Sequence, residues 1–143
     1  MKTSARNQLQ GTVIAIHRGA VNDEIELELL GGTRIVSIIT HRSTEAMGLT
    51  MGSTAIALIK APWVILATDL SDVVLSTRNV LTGTVSVLQP GVITSEVHLT
   101  LSKGGTIVAI VTNDSVAELD LKVGREAAAL FKASHVILGV RRT

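Results

Sequence analysis

Ile35-Val36-Ser37-Ile38-Ile39-Thr40 returns 72 residues later as Ile107-Val108-Ala109-Ile110-Val111-Thr112. Outward from this stretch the register never slips. Gly11-Thr12-Val13 lies over Gly83-Thr84-Val85, and Ser4-Ala5-Arg6-Asn7 lies over Ser76-Thr77-Arg78-Asn79. Lys60-Ala61-Pro62-Trp63-Val64-Ile65-Leu66 lies over Lys132-Ala133-Ser134-His135-Val136-Ile137-Leu138. Residues 4–67 set against 76–139 give 27 identities in 64 ungapped positions, so the chain is a tandem duplication. The units are read as residues 2–68 and 74–140, with the join around Thr68 to Leu75.

Each unit reads as mostly strand. Gly11 to Arg18 is apolar and β-branched, and Glu24-Ile25-Glu26-Leu27-Glu28-Leu29 alternates strictly, as a strand with one wet face does. Gly31-Gly32, like Gly104-Gly105, punctuates a hairpin into the next strand, Ile35 to Ile39 in the first unit. From Thr40 to Leu49 the period changes, predicting one short helix capped by Thr40, or by Thr112 in the second copy. Ala55–Ile59 and Val64–Leu66 close the unit. The fold class is therefore all-β with one short helix per repeat. Five strands in about 70 residues fit a small OB-like barrel, and the period alone leaves a β-sandwich open.

Composition narrows the function. The 143 residues are 46% hydrophobic and 17% charged, with a mean hydropathy of +0.45. No apolar run approaches the ~20 residues of a membrane span, and the first residues have no apolar core of a secretory signal. With no cysteine there is no disulfide or thiolate site, so the expected compartment is the cytoplasm. Thirteen Lys and Arg against twelve Asp and Glu, scattered through both halves, give no basic face. One Trp, one Phe and no Tyr build no stacking platform, so no nucleic-acid partner is expected. A chain so apolar and charge-poor points to an oligomer.

No nucleophile triad, phosphate loop or dinucleotide fingerprint is present, so the reading is a non-enzyme with no catalytic residues and no cofactor. His17, His41, His98 and His135 occupy non-equivalent repeat positions without metal-ligand spacing, so no direct metal ligands are expected. Trp63, with His135 as its counterpart, reads as packing. What recurs in both copies while neighbours drift is Ser4, Arg6, Asn7, Thr12, Glu24, Thr40, Ser43 and Lys60. Two cations with several hydroxyls make a site for a small anion rich in oxygens. The plainer reading, of solvated strand-end charges and helix caps, stands beside it.

The S-A-R-N, G-T-V and K-A-P-W-V segments, with Gly19-Ala20-Val21-Asn22, resemble the Mop domain of the molbindins, and the duplication resembles their two-domain form. The resemblance covers about residues 2–140. It implies tandem OB-like five-stranded barrels that bind molybdate or tungstate for storage or homeostasis, in sites between domains of a homotrimer. Transferred by position, it implies oxyanion contacts from Ser4, Ala5, Arg6, Lys60 and Ala61, and from Ser76, Thr77, Arg78, Lys132 and Ala133 in the second copy. A second class of site is implied at Val21 and Asn22, with Ile93 and Thr94 as the copy. Ser37, Thr40, Ser43, Thr112 and Ser115 are implied as supporting donors, and Asn7 and Asn79 are read as structural. Such a site offers donors and almost no free acceptor, which suits an unprotonated dianion. With Met1 three residues before the motif, a free-standing binding protein is expected. The alternatives are a molybdate-sensing module of a transporter or regulator, and an OB-fold nucleic-acid binder.

Overall fold

The computed structural model describes residues 1–142. In the first repeat β1 (Asn7–His17), β2 (Asn22–Leu29) and β3 (Arg34–Thr40) form a meander, followed by α1 (His41–Met47), β4 (Thr54–Ile59) and β5 (Ile65–Ala67). The second repeat gives β6 (Val80–Pro90), β7 (Thr94–Leu101), β8 (Thr106–Thr112), α2 (Asn113–Glu118), β9 (Glu126–Leu130) and β10 (Ile137–Gly139). A 3-10 turn precedes each short last strand, at Ala61–Trp63 and Ala133–His135.

The elements lie where the sequence places them. Along β2, Ile25, Leu27 and Leu29 point inward while Glu24, Glu26 and Glu28 stay partly wet. Thr40 and Thr112 cap their helices, each accepting the N–H of the residue three positions on. An extra residue between Val13 and Ala15, and again between Val85 and Val87, puts a bulge in each long first strand and curls the sheet.

The sheets, however, do not follow the repeats. One has the order β10-β4-β1-β2-β3, the other β5-β9-β6-β7-β8. Each is a curled five-stranded half-barrel that takes its last strand from the other repeat. Ile137 to Gly139 pairs with Leu58 to Ile56, and Ile65 to Ala67 pairs with Leu130 to Ala128. The barrels are thus OB-like, as expected, but they are completed by exchange. Buried side chains of both halves, among them Ile25, Leu27, Ile59, Val97, Leu99 and Phe131, form one continuous core.

A pseudo-twofold axis relates the halves, so equivalent residues meet across it. The rings of Trp63 and His135 lie 4.6 Å apart at 38°. The two β-hairpin tips cross where Gly31 (φ +100) meets Lys103 and Gly104 (φ +112) meets Leu30; a Cβ on Gly104 would stand 2.7 Å from the Leu30 carbonyl oxygen. Thr33 Oγ1 donates to the Gly104 carbonyl at 2.7 Å, fastening the crossing.

The tightest cross-repeat link uses Asn7 and Asn79, both buried. Asn79 Nδ2 donates to the Val36 carbonyl and its Oδ1 accepts the Val36 N–H, each at 2.8 Å. Asn7 does the same with Val108, at 2.8 and 2.7 Å. Each amide imitates a neighbouring strand against the unpaired edge of β3 or β8. Replacing Asn79 with Ala should orphan both polar groups of Val36 at about 1–3 kcal/mol each. Chemical denaturation should show a loss of at least about 2 kcal/mol; an unchanged midpoint would refute this role.

Candidate functional site

The register of β1 and β4 decides what meets at the start of each repeat. Asn7 lies opposite Ile59, so one step outward Arg6 comes level with Lys60, and Ala61 opens the 3-10 turn. In the second copy Val80 lies opposite Leu130 and the Phe131 N–H donates to the Asn79 carbonyl, bringing Arg78 level with Lys132. Because Asn7 and Asn79 are pinned to the other repeat, the Ser-x-Arg segment and the Lys-Ala turn both face foreign strands.

The result in the second copy is a cleft of about 180 Å³, with Ser76, Thr77, Arg78, Lys132, Ala133 and Ser134 on one side and Glu24, Val36 and Ile38 of the first repeat on the other. The five residues implied for this copy are thus brought together. Ser134 and Glu24 join them, the latter signalled only by its retention at both positions 24 and 96.

Electrostatics assigns the cations different parts. Arg78 Nη1 donates to Glu24 Oε2 and Nη2 to Glu26 Oε1, both at 2.9 Å. Arg6 forms a two-pronged pair with Glu96, of which the Nη2–Oε2 contact is 2.9 Å. That pair, with His98, holds the Glu96 carboxyl below the usual range and raises the Arg6 guanidinium. The arginines therefore act first as clamps between repeats. Lys60 and Lys132 have no carboxylate within ion-pair distance among the described residues; Lys60 Nζ lies 5.6 Å from the centre of the Trp63 ring. The cations left without a carboxylate partner are the lysines, and in the second copy Lys132 lines the cleft together with Ser76 and Ser134.

Other expected donors are committed elsewhere. Ser37 is fully buried and its Oγ donates to the Val136 carbonyl at 2.8 Å, so it serves cross-repeat packing and supplies no donor to the cleft. Thr77 Oγ1 donates to the Phe131 carbonyl at 2.8 Å. Glu24 corrects the donor-only picture, because a carboxylate lines the cleft.

The second group of residues gathers at the opposite ends of the same strands. Asn22 lies opposite Thr40, and Thr94 opposite Thr112. The Val21 and Ile93 carbonyls accept the first N–H of α1 and α2, while their side chains are exposed. Thr40 Oγ1 donates to Ser43 Oγ at 2.8 Å and Thr112 to Ser115 at 2.9 Å. The caps use the threonine protons and leave those of Ser43 and Ser115 free. Beneath the first turn, buried Asp23 accepts from the Gly19 N–H at 3.0 Å and contacts His41 Nδ1 at 3.1 Å. A hydrogen bond from Thr44 does most to hold its carboxyl below the usual range, against burial. The second repeat uses Ser95 and Asn113 instead.

This architecture is that of a known class. The TOBE domain matches twice, over residues 3–66 and 75–138, and the chain belongs to the TOBE-domain family in tandem form. It is 42% identical over 99% of its length to the molybdenum transport protein ModE of Herbaspirillum seropedicae. It is 44% identical over 98% of its length to the molybdenum-pterin-binding protein MopA of Rhodobacter capsulatus, and spans 53% of each of these relatives. A solved structure of the cytoplasmic molybdate-binding protein ModG, with molybdate bound, matches with a TM-score of 0.95 at 48% identity, covering 99% of this chain and all of that one. The molbindin resemblance of the S-A-R-N and K-A segments is thereby borne out. No helix is long and apolar enough to cross a membrane among the described residues.

Asp23 and Glu96 are both depressed in the folded state. Their stabilisation is complete above the ordinary carboxylate range and lost as pH falls from about 4 through their lower folded values. The melting temperature of the native chain should therefore fall in that window. The gap between it and Asp23→Asn should narrow as acid is added; a gap constant from pH 6 to pH 2.5 would contradict the assignment.

Proposed function

We propose that the protein binds molybdate, and tungstate comparably, as a non-catalytic oxyanion carrier for molybdenum storage and homeostasis. The observation that carries this is the cleft of the second copy, where Ser76, Arg78 and Lys132 come together and the lysine has no ion-pair partner. A tetrahedral dianion has four acceptor oxygens and no proton to place, which matches clustered donors around one free cation. The similarity to ModG along the whole chain supports the same ligand and a cytoplasmic setting. Similarity to ModE supports a second reading, a molybdate-sensing module, which needs the same clefts.

The working form is a homotrimer of these two-repeat chains. Val21 and Ile93, Met51 and Val123, and Ile65 and Ile137 are exposed apolar residues at equivalent positions of the two repeats. An apolar surface kept in both copies suits contacts between copies of the chain better than water. In such an assembly the exposed Val21–Asn22 and Ile93–Thr94 turns supply a second class of anion contact, with Ser43 and Ser115 as donors.

Replacing Lys60 or Lys132 with Ala should leave the fold intact and remove a charge-assisted donor worth about 1.5–3 kcal/mol, roughly a 10–150-fold loss of affinity at that cleft. Titration calorimetry with molybdate measures it, and a double variant that binds like the native chain would sink the reading. Tungstate, near-identical in shape and charge, should displace molybdate about equally, with sulfate weaker because its shorter bonds do not reach every donor. Light scattering should give three times the 15.0 kDa chain mass; a monomer with and without molybdate would refute the assembly.

A further inference from the structure

The cleft of Arg78 and Lys132 has a counterpart by strand register where Arg6 comes level with Lys60, yet a charged position behind the two differs. Position 26 is Glu and its counterpart, 98, is His. Both sit beside the arginine clamp. Glu26 Oε1 accepts Arg78 Nη2 at 2.9 Å, giving that guanidinium a second carboxylate besides Glu24. His98 Nε2 instead lies 2.7 Å from Glu96 Oε2, a carboxylate already bound through both oxygens to Arg6. With the histidines neutral, Arg6 and Lys60 face one carboxylate, so the first cleft keeps one positive charge. Arg78 and Lys132 face two carboxylates and the second cleft keeps none. His17, 3.6 Å from Glu26 Oε2, is mostly exposed and offsets this only when protonated.

We propose that Glu26 and His98 set unequal affinities in the two clefts: that of Arg6 and Lys60 is the tight oxyanion site, and that of Arg78 and Lys132 the weak one. Glu26 does not line the second cleft, and each residue acts through the arginine clamp and through its charge. This rests on the reading that the clefts bind oxyanions. One unit charge about 10 Å from a dianion in a water-like dielectric changes affinity roughly fourfold at low ionic strength, and less than about twofold once salt screens it. One chain then fills in two stages, buffering the anion over a wider concentration range than two equal sites would.

The test is calorimetric titration of the full chain with sodium molybdate, using variants that leave one cleft intact. Lys132→Ala retains the first cleft and Lys60→Ala the second, and at low ionic strength the former should bind roughly fourfold more tightly. Glu26→Gln, which keeps the side-chain length and an oxygen for Arg78, should raise the affinity of the Lys60→Ala chain to the level of Lys132→Ala. His98→Glu should lower the Lys132→Ala chain to the level of Lys60→Ala. Thermal melting checks that each variant is folded; Glu26→Gln decides alone where His98→Glu is not. Equal affinities in the two single-cleft chains, or no response to Glu26→Gln, would overturn the proposal while oxyanion binding itself stands. A native chain that takes up no molybdate would overturn the functional reading first and this proposal with it.

Discussion

The unpaired edges of β3 and β8 are the constraint on which the rest depends. Each is the last strand of its sheet, and each lies between the repeats rather than in water. Buried N–H and C=O groups without partners are costly, and no further strand is available to supply them. Asn79 and Asn7 resolve this with an amide that presents one donor and one acceptor in strand-like geometry. Pinning that residue fixes the three residues before it along the foreign edge. The antiparallel register then delivers the lysine turn beside them. The clefts are thus a consequence of satisfying a backbone edge.

Strand exchange follows from the same arrangement. Val64-Ile65-Leu66 and Val136-Ile137-Leu138 are identical, so either sheet accepts either strand with the same side chains. What differs is where the chain stands when it leaves each 3-10 turn. The turn at Ala133–His135 lies against β3 of the first repeat, where Ser37 donates to the Val136 carbonyl. From there the path leads onto β4, and the symmetric turn leads onto β9. Exchange also joins two small cores into one, which helps units too small to bury much apolar surface alone.

Much of this was legible in the sequence, because the repeat marks what is kept. The alternation of Glu24 to Leu29, the glycine hairpins and the threonine caps follow local rules that hold within a few residues, and all appear in the fold. Asn7 and Asn79 stood out as retained polar residues beside a strand. The exchange was not legible, since two strands that differ only at Ala67 and Gly139 carry no information about which sheet they join. Nor were the partners of Arg6 and Arg78 legible: Glu96 lies 90 residues from Arg6 and Glu24 lies 54 from Arg78, and only the folded pseudo-dyad brings them together. Ser37 misled for a related reason. A hydroxyl near a cleft reads as a donor until its burial and its acceptor, Val136, are known, and its replacement by Ala109 in the copy is the trace of a packing role that one repeat dispenses with.

The arginine clamps connect the architecture to the chemistry. A free arginine and a free lysine in one small cleft would attract any anion strongly and without discrimination. Committing the guanidinium to a carboxylate of the other repeat turns that charge to cohesion and, on the proposed reading, leaves the lysine and the serine hydroxyls to meet the ligand. Affinity then depends on how many donors an anion reaches at once, a property of its shape and protonation, more than on net charge. Each cleft is also built from both repeats. An anion that binds only the joined form stabilises the joined form in proportion to its occupancy, so ligand binding and the cohesion of the exchanged sheets are coupled through the same residues.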